Sequence, residues 1–463
     1  MAVEWSGSGP ELLIRIDRDG GAGLRSQLED QLRDAIRDGR LAAGERLPSS
    51  RELARALGLS RGLVQDSYAQ LQSEGYLTSR PGSATRVAAG AVAPAVSSRP
   101  GPVVRERPEI ADFRHGVPDL RLAPREDWAW AIREVCRTAP NSAFDYGDPI
   151  GERRLREVLA AYLRRVRAVA ATADHVVVCT GMAQGLGLVL RALAADGMDA
   201  FAFEDPGAIG PTRAAGMTAV PVPVDQDGLV VAALDRSGAR AVVVTPAHQW
   251  PTGVVLTGQR RQELIAWARR RGGVIIEDDY DAEFRYDREP VGSLQGLGPD
   301  CVVSLGTVSK SLAPALRLGW LVAPERLLGA LAHSKLVTDR GSPSLDQLAL
   351  ALLIESGRYD RHLRRSRTVY AARRETLVAA VATHAPGLRI TGLAAGFHAV
   401  LHLPPGTDEA RLIAEARQRG VGVYGLAPMC HSPSAEPRLV LGFGDTPQHT
   451  IEPGIAAIAD LLR

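Results

Sequence analysis

Six short apolar runs constrain this chain most strongly: HVVV (175–178), AFAF (200–203), AVVV (241–244), GVII (273–276), CVVS (301–304) and GWLV (319–322). Each is bounded by turn signals or by a stretch with helical spacing. A strand that alternates polar and apolar residues can leave one face in water. A strand apolar on both faces has to be covered on both, the usual condition of a parallel sheet with helical crossovers. From about Ala111 onward the predicted class is therefore α/β, and no internal repeat is evident.

The first part of the chain has a different pattern. Leu24, Leu28, Leu32 and Ile36 recur every four residues and predict one amphipathic helix that stops at Gly39. Ser49 and Glu52 have the spacing of a capping box, and Leu53, Ala54 and Leu57 make a helical face ending at Gly58. Ser60 is placed to cap a following helix whose inward face is Val64, Tyr68 and Leu71 and whose end is Gly75. Two short helices joined through a glycine form a helix-turn-helix pattern. YLTSRPGSATRV then reads as two short strands about a turn at Pro81 and Gly82, a wing. If this module reads DNA, Arg61 and Gln65 occupy the outer face at the start of the second helix. The plain alternative is a small helical packing module.

Between these parts, roughly residues 88 to 110 are Ala, Val, Pro and Arg without periodicity, the signature of a partly extended linker. The predicted organisation is residues 11–87, linker 88–110 and domain 111–463. No apolar stretch reaches the ~18 residues of a membrane span, and the start lacks a signal peptide's basic region and apolar core, so a cytoplasmic location is expected. The four cysteines (Cys136, Cys179, Cys301, Cys430) are far apart with no CxxC, which supports neither a disulfide framework nor a metal site and suggests buried thiols. A net charge of +2 does not announce a nucleic-acid binder, but opposite signs cancel across domains: residues 40–86 carry seven arginines against four acids.

Of the 55 cationic residues only Lys310 and Lys335 are lysines. Arginine keeps its proton, whereas lysine can lose it and act as a nucleophile, so each lysine is a candidate for a task arginine cannot perform. The plain reading is two surface lysines. Context favours chemistry for Lys310: SLGTVSKSLAPALRLGWLV places it in a loop of small hydroxyl residues after an apolar strand, with Arg317 seven residues later. A Schiff-base lysine needs a lowered pKa and, for a phosphorylated partner, a phosphate shell, which Thr307, Ser309 and Arg317 can supply. Upstream, Asp278 in GVIIEDDYDAEFRY ends a buried strand, where ligands of parallel sheets bind, and a carboxylate there can pair with a protonated pyridine nitrogen. Taken alone, EDDY also reads as a solvated turn.

The run LPSSRELARALGLSRGLVQDSYAQLQSEGYL resembles the winged helix-turn-helix of the GntR superfamily of bacterial regulators. The resemblance implies that Arg51 and Arg61 touch DNA, around the capping Ser60 and with Gln65 beside them, and that the wing turn from Gly82 to Thr85 lies along the minor groove. Gly62 and Leu63 depart from the small polar residues common there. The lysine and EDDY motifs resemble those of the aspartate-aminotransferase-like fold, a mostly parallel sheet plus a small C-terminal α+β subdomain, over residues 111–463. That resemblance implies pyridoxal 5'-phosphate as cofactor. Lys310 would form the Schiff base, Asp278 would meet the pyridine nitrogen and Tyr280 would hydrogen-bond the phenolic oxygen. Thr307, Ser309, Arg317 and the backbone of Met182 and Ala183 in CTGMAQGL would hold the phosphate. Tyr146, in YGDPIGERRLREVLAAYL, would reach the partner subunit's cofactor, and Arg438, in RLVLGFG, would bind an effector carboxylate.

Winged helix, Pro/Ala-rich linker and aminotransferase-like domain together resemble the MocR subfamily of GntR regulators, as do TPAHQWPTG (245–253) and EDDYDAEFRY. This implies a head-to-tail homodimer that binds double-stranded operator DNA and senses a small amine, amino acid or B6 vitamer. Two departures stand out. Ala208 replaces a tyrosine that stacks on the cofactor ring, and Trp250 replaces the asparagine that bonds the phenolic oxygen in transaminating enzymes, with His248 or Gln249 available to compensate. The alternative is an active aminotransferase with an accessory winged helix. Lys310, Asp278 and Arg438 argue for it, and the DNA-reading module and Trp250 argue against it. A regulator that has lost its cofactor is disfavoured by the survival of Lys310 in an almost lysine-free chain.

Overall fold

Leucines four residues apart build the first helix, α1 (Leu24–Arg37), and Leu28, Leu32 and Ile36 are buried. The computed structural model describes residues 14–18, 21, 23–79, 84–89, 108–207, 216–281, 283–286, 291–432 and 436–463. The chain divides into two compact units, residues 1–105 and 106–463.

In the smaller unit, α2 (Ser50–Leu57) opens with the capping box: the Ser49 hydroxyl accepts from the Glu52 N–H, and the Glu52 carboxylate accepts from the Ser49 N–H. It closes at Gly58, whose φ of +63° a side chain would strain. Helix α3 (Arg61–Ser73) is capped by Ser60, whose hydroxyl accepts from the Leu63 N–H at 3.2 Å. Val64, Tyr68 and Leu71 turn inward as their spacing predicts. Strands β1 (Leu77–Thr78) and β2 (Arg86–Val87) pair antiparallel, and Leu77 and Val87 close the core. The turn at Pro81 and Gly82 lies outside the described residues.

The larger unit begins with β3 (Ala111–Asp112), α4 (Arg125–Thr138) and α5 (Arg153–Arg167). Its sheet is then laid down by β4 (Val176–Cys179), α6 (Met182–Ala195), β5 (Ala200–Asp205), β6 (Thr218–Asp225), β7 (Gly228–Leu229), α7 (Val231–Arg236), β8 (Ala241–Val244), α8 (Gly258–Arg271), β9 (Val274–Asp278), β10 (Val302–Thr307) and β11 (Gly319–Val322). The spatial order is β4-β11-β10-β9-β8-β5-β6-β7. Both faces are covered, as the apolar runs require: Val177, Phe201, Ile276, Val303 and Leu321 face one core with Leu186 and Leu190, while Val242, Ile275 and Val302 face another with Leu264 and Trp267.

Two sheet features depart from expectation. GWLV becomes β11, which runs antiparallel to both β10 and β4. Only eleven residues separate it from β10, with a single 3-10 turn (Pro314–Leu316), so the chain doubles back without a crossover helix. Strand β6, with Pro221 and Pro223, is not among the six apolar runs; it lies between β5 and the two-residue β7, near the sheet edge where a lost N–H is tolerated.

The chain continues through α9 (Glu325–Asp339), α10 (Ser344–Glu355) and α11 (Arg358–His384) to β12 (Ile390–Thr391), β13 (His398–His402), α12 (Glu409–Gln418), β14 (Val421–Gly422), β15 (Arg438–Gly442) and α13 (Gln448–Ala457). β12, β13 and β15 form an antiparallel sheet, and β14 pairs with β3. Neither lysine is a surface residue: Lys335 is fully buried and Lys310 half-buried. The cysteine expectation holds for Cys179 and Cys301 but not for Cys136, which is exposed off the α4 face that buries Ala131 and Val135, nor for the half-buried Cys430. Among the described residues no helix is long and apolar enough to cross a membrane.

Candidate functional site

In parallel sheets ligands bind beyond the carboxyl ends of the strands. Here Glu204 lies near the end of β5, Thr245 follows β8, Asp278 ends β9 and Thr307 ends β10. All four line one cavity of about 350 Å³. The same cavity takes in Met182, Ala183, Tyr280, Ser309, Lys310 and Arg317, which completes the predicted cofactor set except for Tyr146.

One end of the cavity is an anion cradle. Helix α6 starts at Gly181, which has no side chain to cap the first turn, so the N–H groups of Met182 and Ala183 and the positive end of the helix dipole are left on offer. Gly181 has φ of +104°, and a Cβ there would stand 3.4 Å from Arg317 Nη1, so the guanidinium lies directly over this turn. Arg317 itself adopts φ of +49°, a left-handed conformation costly for a non-glycine residue, and makes no ion pair among the described residues. Thr307 Oγ1 lies 2.9 Å from Ser309 Oγ and accepts from the Ser309 N–H at 3.1 Å. An unpaired guanidinium, two hydroxyls and free helix amides form a surface suited to a phosphate group.

At the other end Lys310 Nζ donates to the Gly116 carbonyl at 2.5 Å. Burial lowers its pKa, and Asp278 and Asp281 act against that shift. Asp278 is 8% exposed, and its Oδ1 is buried with no hydrogen-bond partner among the described residues. Burial, reinforced by Asp279 and Asp281, pushes its carboxyl up to about 7. Glu204 is also raised to about 7 by burial, although it accepts from the Thr245 N–H and hydroxyl at 3.0 and 2.6 Å.

The Tyr280 hydroxyl donates to the His248 carbonyl at 3.1 Å. His248 is buried, with Nδ1 2.8 Å from Asp281 Oδ2 and Nε2 3.1 Å from the Gly392 carbonyl. Trp250 forms part of the cavity wall. Its indole packs against His115 and His398 with ring centroids 4.9 and 4.8 Å away, so where an amide donor was expected in a transaminating site the wall is aromatic.

Three groups of predicted residues lie elsewhere. Tyr146 is 73% exposed, outside its own chain's cavity, with the Arg340 guanidinium 5.6 Å from its ring centroid. Arg438 does not line the cavity. It shares a strand face with Val440, which packs with Trp250, but its Nη2 donates to Glu436 at 2.6 Å and its Nε is buried without a partner among the described residues. In the smaller unit Arg51, Ser60, Arg61 and Gln65 are exposed and Thr85 is half-buried; Gly82 in that unit and Ala208 in the larger one fall outside the described residues. Gly62 is exposed with open space where a side chain would be, and Leu63 packs against the core.

Residues 24–87 match the family of bacterial regulatory proteins, gntR family, and residues 112–446 match aminotransferase class I and II. The chain is 34% identical to the probable rhizopine catabolism regulatory protein MocR of Rhizobium meliloti, over 96% of this chain and 95% of that one. It is 32% identical to the HTH-type pyridoxine biosynthesis transcriptional regulator PdxR of Corynebacterium glutamicum, over 98% and 99%. The chain is a GntR-family regulator of the MocR type. Its larger unit also resembles the α-aminoadipate aminotransferase LysN of Thermus thermophilus, solved with N-(5'-phosphopyridoxyl)-L-leucine. That match has a TM-score of 0.67 at 25% identity, covering 76% of this chain and 92% of that one.

This MocR-type regulator therefore joins a DNA-binding helix-turn-helix to a domain of the pyridoxal 5'-phosphate-dependent aminotransferase class. The cavity fits that cofactor by chemistry: an unpartnered buried carboxylate oxygen for a pyridinium, a desolvated amine for an aldehyde and an anion cradle for a phosphate. Sequence reasoning missed Gly116, Glu204 and Thr245. Glu204 carried the same signal as Asp278, an acid at the end of an apolar strand (AFAFED). Gly116 carried none, because an irregular segment far away in sequence brings it to Lys310.

Proposed function

We propose that this MocR-type regulator binds its operator through α3 and the wing, and senses a small amine, amino acid or B6 vitamer at a pyridoxal 5'-phosphate site in its larger domain. The organisation behind this is a reader over residues 11–87, a linker over 88–110 and an effector domain over 111–463, working in the cytoplasm. The observation that carries the reading is the meeting of Lys310, the orphaned Asp278 Oδ1 and the uncapped start of α6 in one cavity, in a chain that also holds a GntR helix-turn-helix.

When bound, the cofactor supplies an aldehyde that captures amines and a ring that takes up electron density. The residues would do the rest. Lys310, with burial favouring its neutral amine, would hold the aldehyde carbon. Asp278 would hold the ring nitrogen protonated, and Tyr280 would hydrogen-bond the phenolic oxygen. Thr307, Ser309, Arg317 and the amides of Met182 and Ala183 would hold the phosphate. Trp250, Leu186, Val243 and Val244 would keep water from the ring. Exposed Tyr146 is available to a partner in a head-to-tail homodimer. Arg438 is available to an effector carboxylate only if its guanidinium leaves Glu436, which makes that contact ligand-dependent. An effector changes operator affinity only by binding two conformations of the protein unequally.

The test is operator binding by the purified protein on its own upstream DNA, with and without pyridoxal 5'-phosphate, while the visible spectrum is recorded. Specific binding that shifts with cofactor is expected. A cofactor band without specific DNA binding would favour the aminotransferase reading, for which the Lys310 and Asp278 pair speaks.

A further inference from the structure

Lys335, the second of the two lysines, has no part in the site described so far. Its side chain is fully buried, yet four oxygens surround its ammonium: Asp339 Oδ2 and Oδ1 at 2.6 and 2.8 Å, Ser342 Oγ at 3.0 Å and Gln184 Oε1 at 3.3 Å. A compact ammonium with rotatable donors suits such a shell, whereas a planar guanidinium spreads its donors in a fixed fork. Nearly every other cation in the chain is arginine, so this geometry accounts for a lysine here.

The network leads to the anion cradle. Gln184 lies in the first turn of α6. Its Oε1 accepts from the Thr180 N–H at 2.8 Å, and its Nε2 donates to Asp339 Oδ2 at 2.6 Å. Lys335 and Asp339 therefore hold both ends of the Gln184 amide. Held this way, its oxygen serves Thr180, ahead of the helix, and stays off the first-turn N–H groups. A side-chain acceptor left to turn toward those groups would cap the helix itself, as N-terminal acceptors commonly do.

We propose that Lys335 is a positioning residue for phosphate: by locking Gln184 against Thr180 it keeps the amides of Met182 and Ala183 open to an anionic ligand. The inference rests on the cofactor reading only for the identity of the ligand. Its geometry concerns phosphate alone. A merely structural ion pair at the end of α9 would leave the choice between phosphorylated and unphosphorylated ligands unchanged.

The experiment compares full-length wild type, Lys335→Met, Gln184→Leu and the double variant in titrations with pyridoxal 5'-phosphate and with pyridoxal, which shares the ring and aldehyde but lacks the phosphate. The thermal shift given by inorganic phosphate is measured alongside. Lys335→Met is expected to lose affinity for pyridoxal 5'-phosphate by about tenfold, the scale of one charge-assisted hydrogen bond, to keep its affinity for pyridoxal, and to lose the phosphate shift. Gln184→Leu has no side-chain oxygen to turn onto the amides, so it is expected to keep phosphate binding and, added to Lys335→Met, to restore it. Equal losses for both ligands in Lys335→Met, no loss for either, or no restoration in the double variant would overturn the proposal. If Lys335→Met does not fold, Asp339→Ala, which releases the other end of the Gln184 amide, decides it by the same phosphate-selective loss. A wild type with a phosphate shift that Lys335→Met loses but with no visible band would refute the cofactor reading and keep this one. A wild type without a phosphate shift would refute this one.

Discussion

Asp278→Asn is expected to strengthen the apoprotein and weaken the cofactor complex. The Asp278 carboxyl is raised from 3.8 to about 7, chiefly by burial and then by Asp279 and Asp281. A carboxyl whose folded-state pKa is raised stabilises the fold fully below its unfolded value. That stability is lost as pH rises to the folded value and is constant above it. At about 1.4 kcal/mol per pH unit, the wild-type apoprotein gives up about 4 kcal/mol between pH 4 and 7 through this residue alone. Asparagine cannot ionise, so the variant lacks that slope and is the more stable apoprotein above pH 7 by an amount of this order. With pyridoxal 5'-phosphate bound the sign reverses, because a pyridinium beside Asp278 favours the carboxylate and the variant forfeits that pairing. The assay is urea unfolding of the larger unit from pH 4.5 to 8.5, with and without cofactor. A variant that keeps the wild-type slope, or that is stabilised by cofactor as much as wild type, would refute the reasoning, since either result places Asp278 in water or away from the ring.

Lys310→Ala is expected to abolish the visible band of the cofactor and the effector response while leaving part of the basal operator binding; an unchanged spectrum removes Lys310 from the site. Arg61→Ala is expected to weaken specific DNA binding by ~1–3 kcal/mol, and Arg51→Ala, as a phosphate contact, to weaken all sequences alike and lower the salt slope by about one. Wild-type affinity in both variants would move the DNA face off the start of α3. Ser49→Ala opens the capping box of α2 and should cost about 1 kcal/mol in stability of the smaller unit, read from its thermal midpoint, with no change if the box is idle.

Local rules were legible wherever one residue type has one physical use. Ser49, Ser60 and Gly58 mark helix ends because few other residues cap amides or accept a positive φ. Leu28, Leu32, Val64, Tyr68 and Leu71 mark core faces because helical periodicity puts them on one side. The six apolar runs became strands because only burial on both faces suits them. Asp278 and Lys310 stood out as a charged group at the end of an apolar strand and a scarce residue in a hydroxyl-rich loop.

What the sequence determined by itself was thus most of the elements, their order, and candidates for the chemistry that the fold gathers into one cavity. The tertiary structure alone decided the direction of β11, the inclusion of β6, the position of Gly116 against Lys310, and the withdrawal of Arg438 toward Glu436. It also turned Lys335 from a candidate surface residue into a buried tie on α6. The physical reason is range. Caps, turns and periodicity act over a few residues and leave their pattern in the string. Strand direction, burial and the meeting of Gly116 with Lys310, 194 positions apart, follow from how the whole chain closes on its cores.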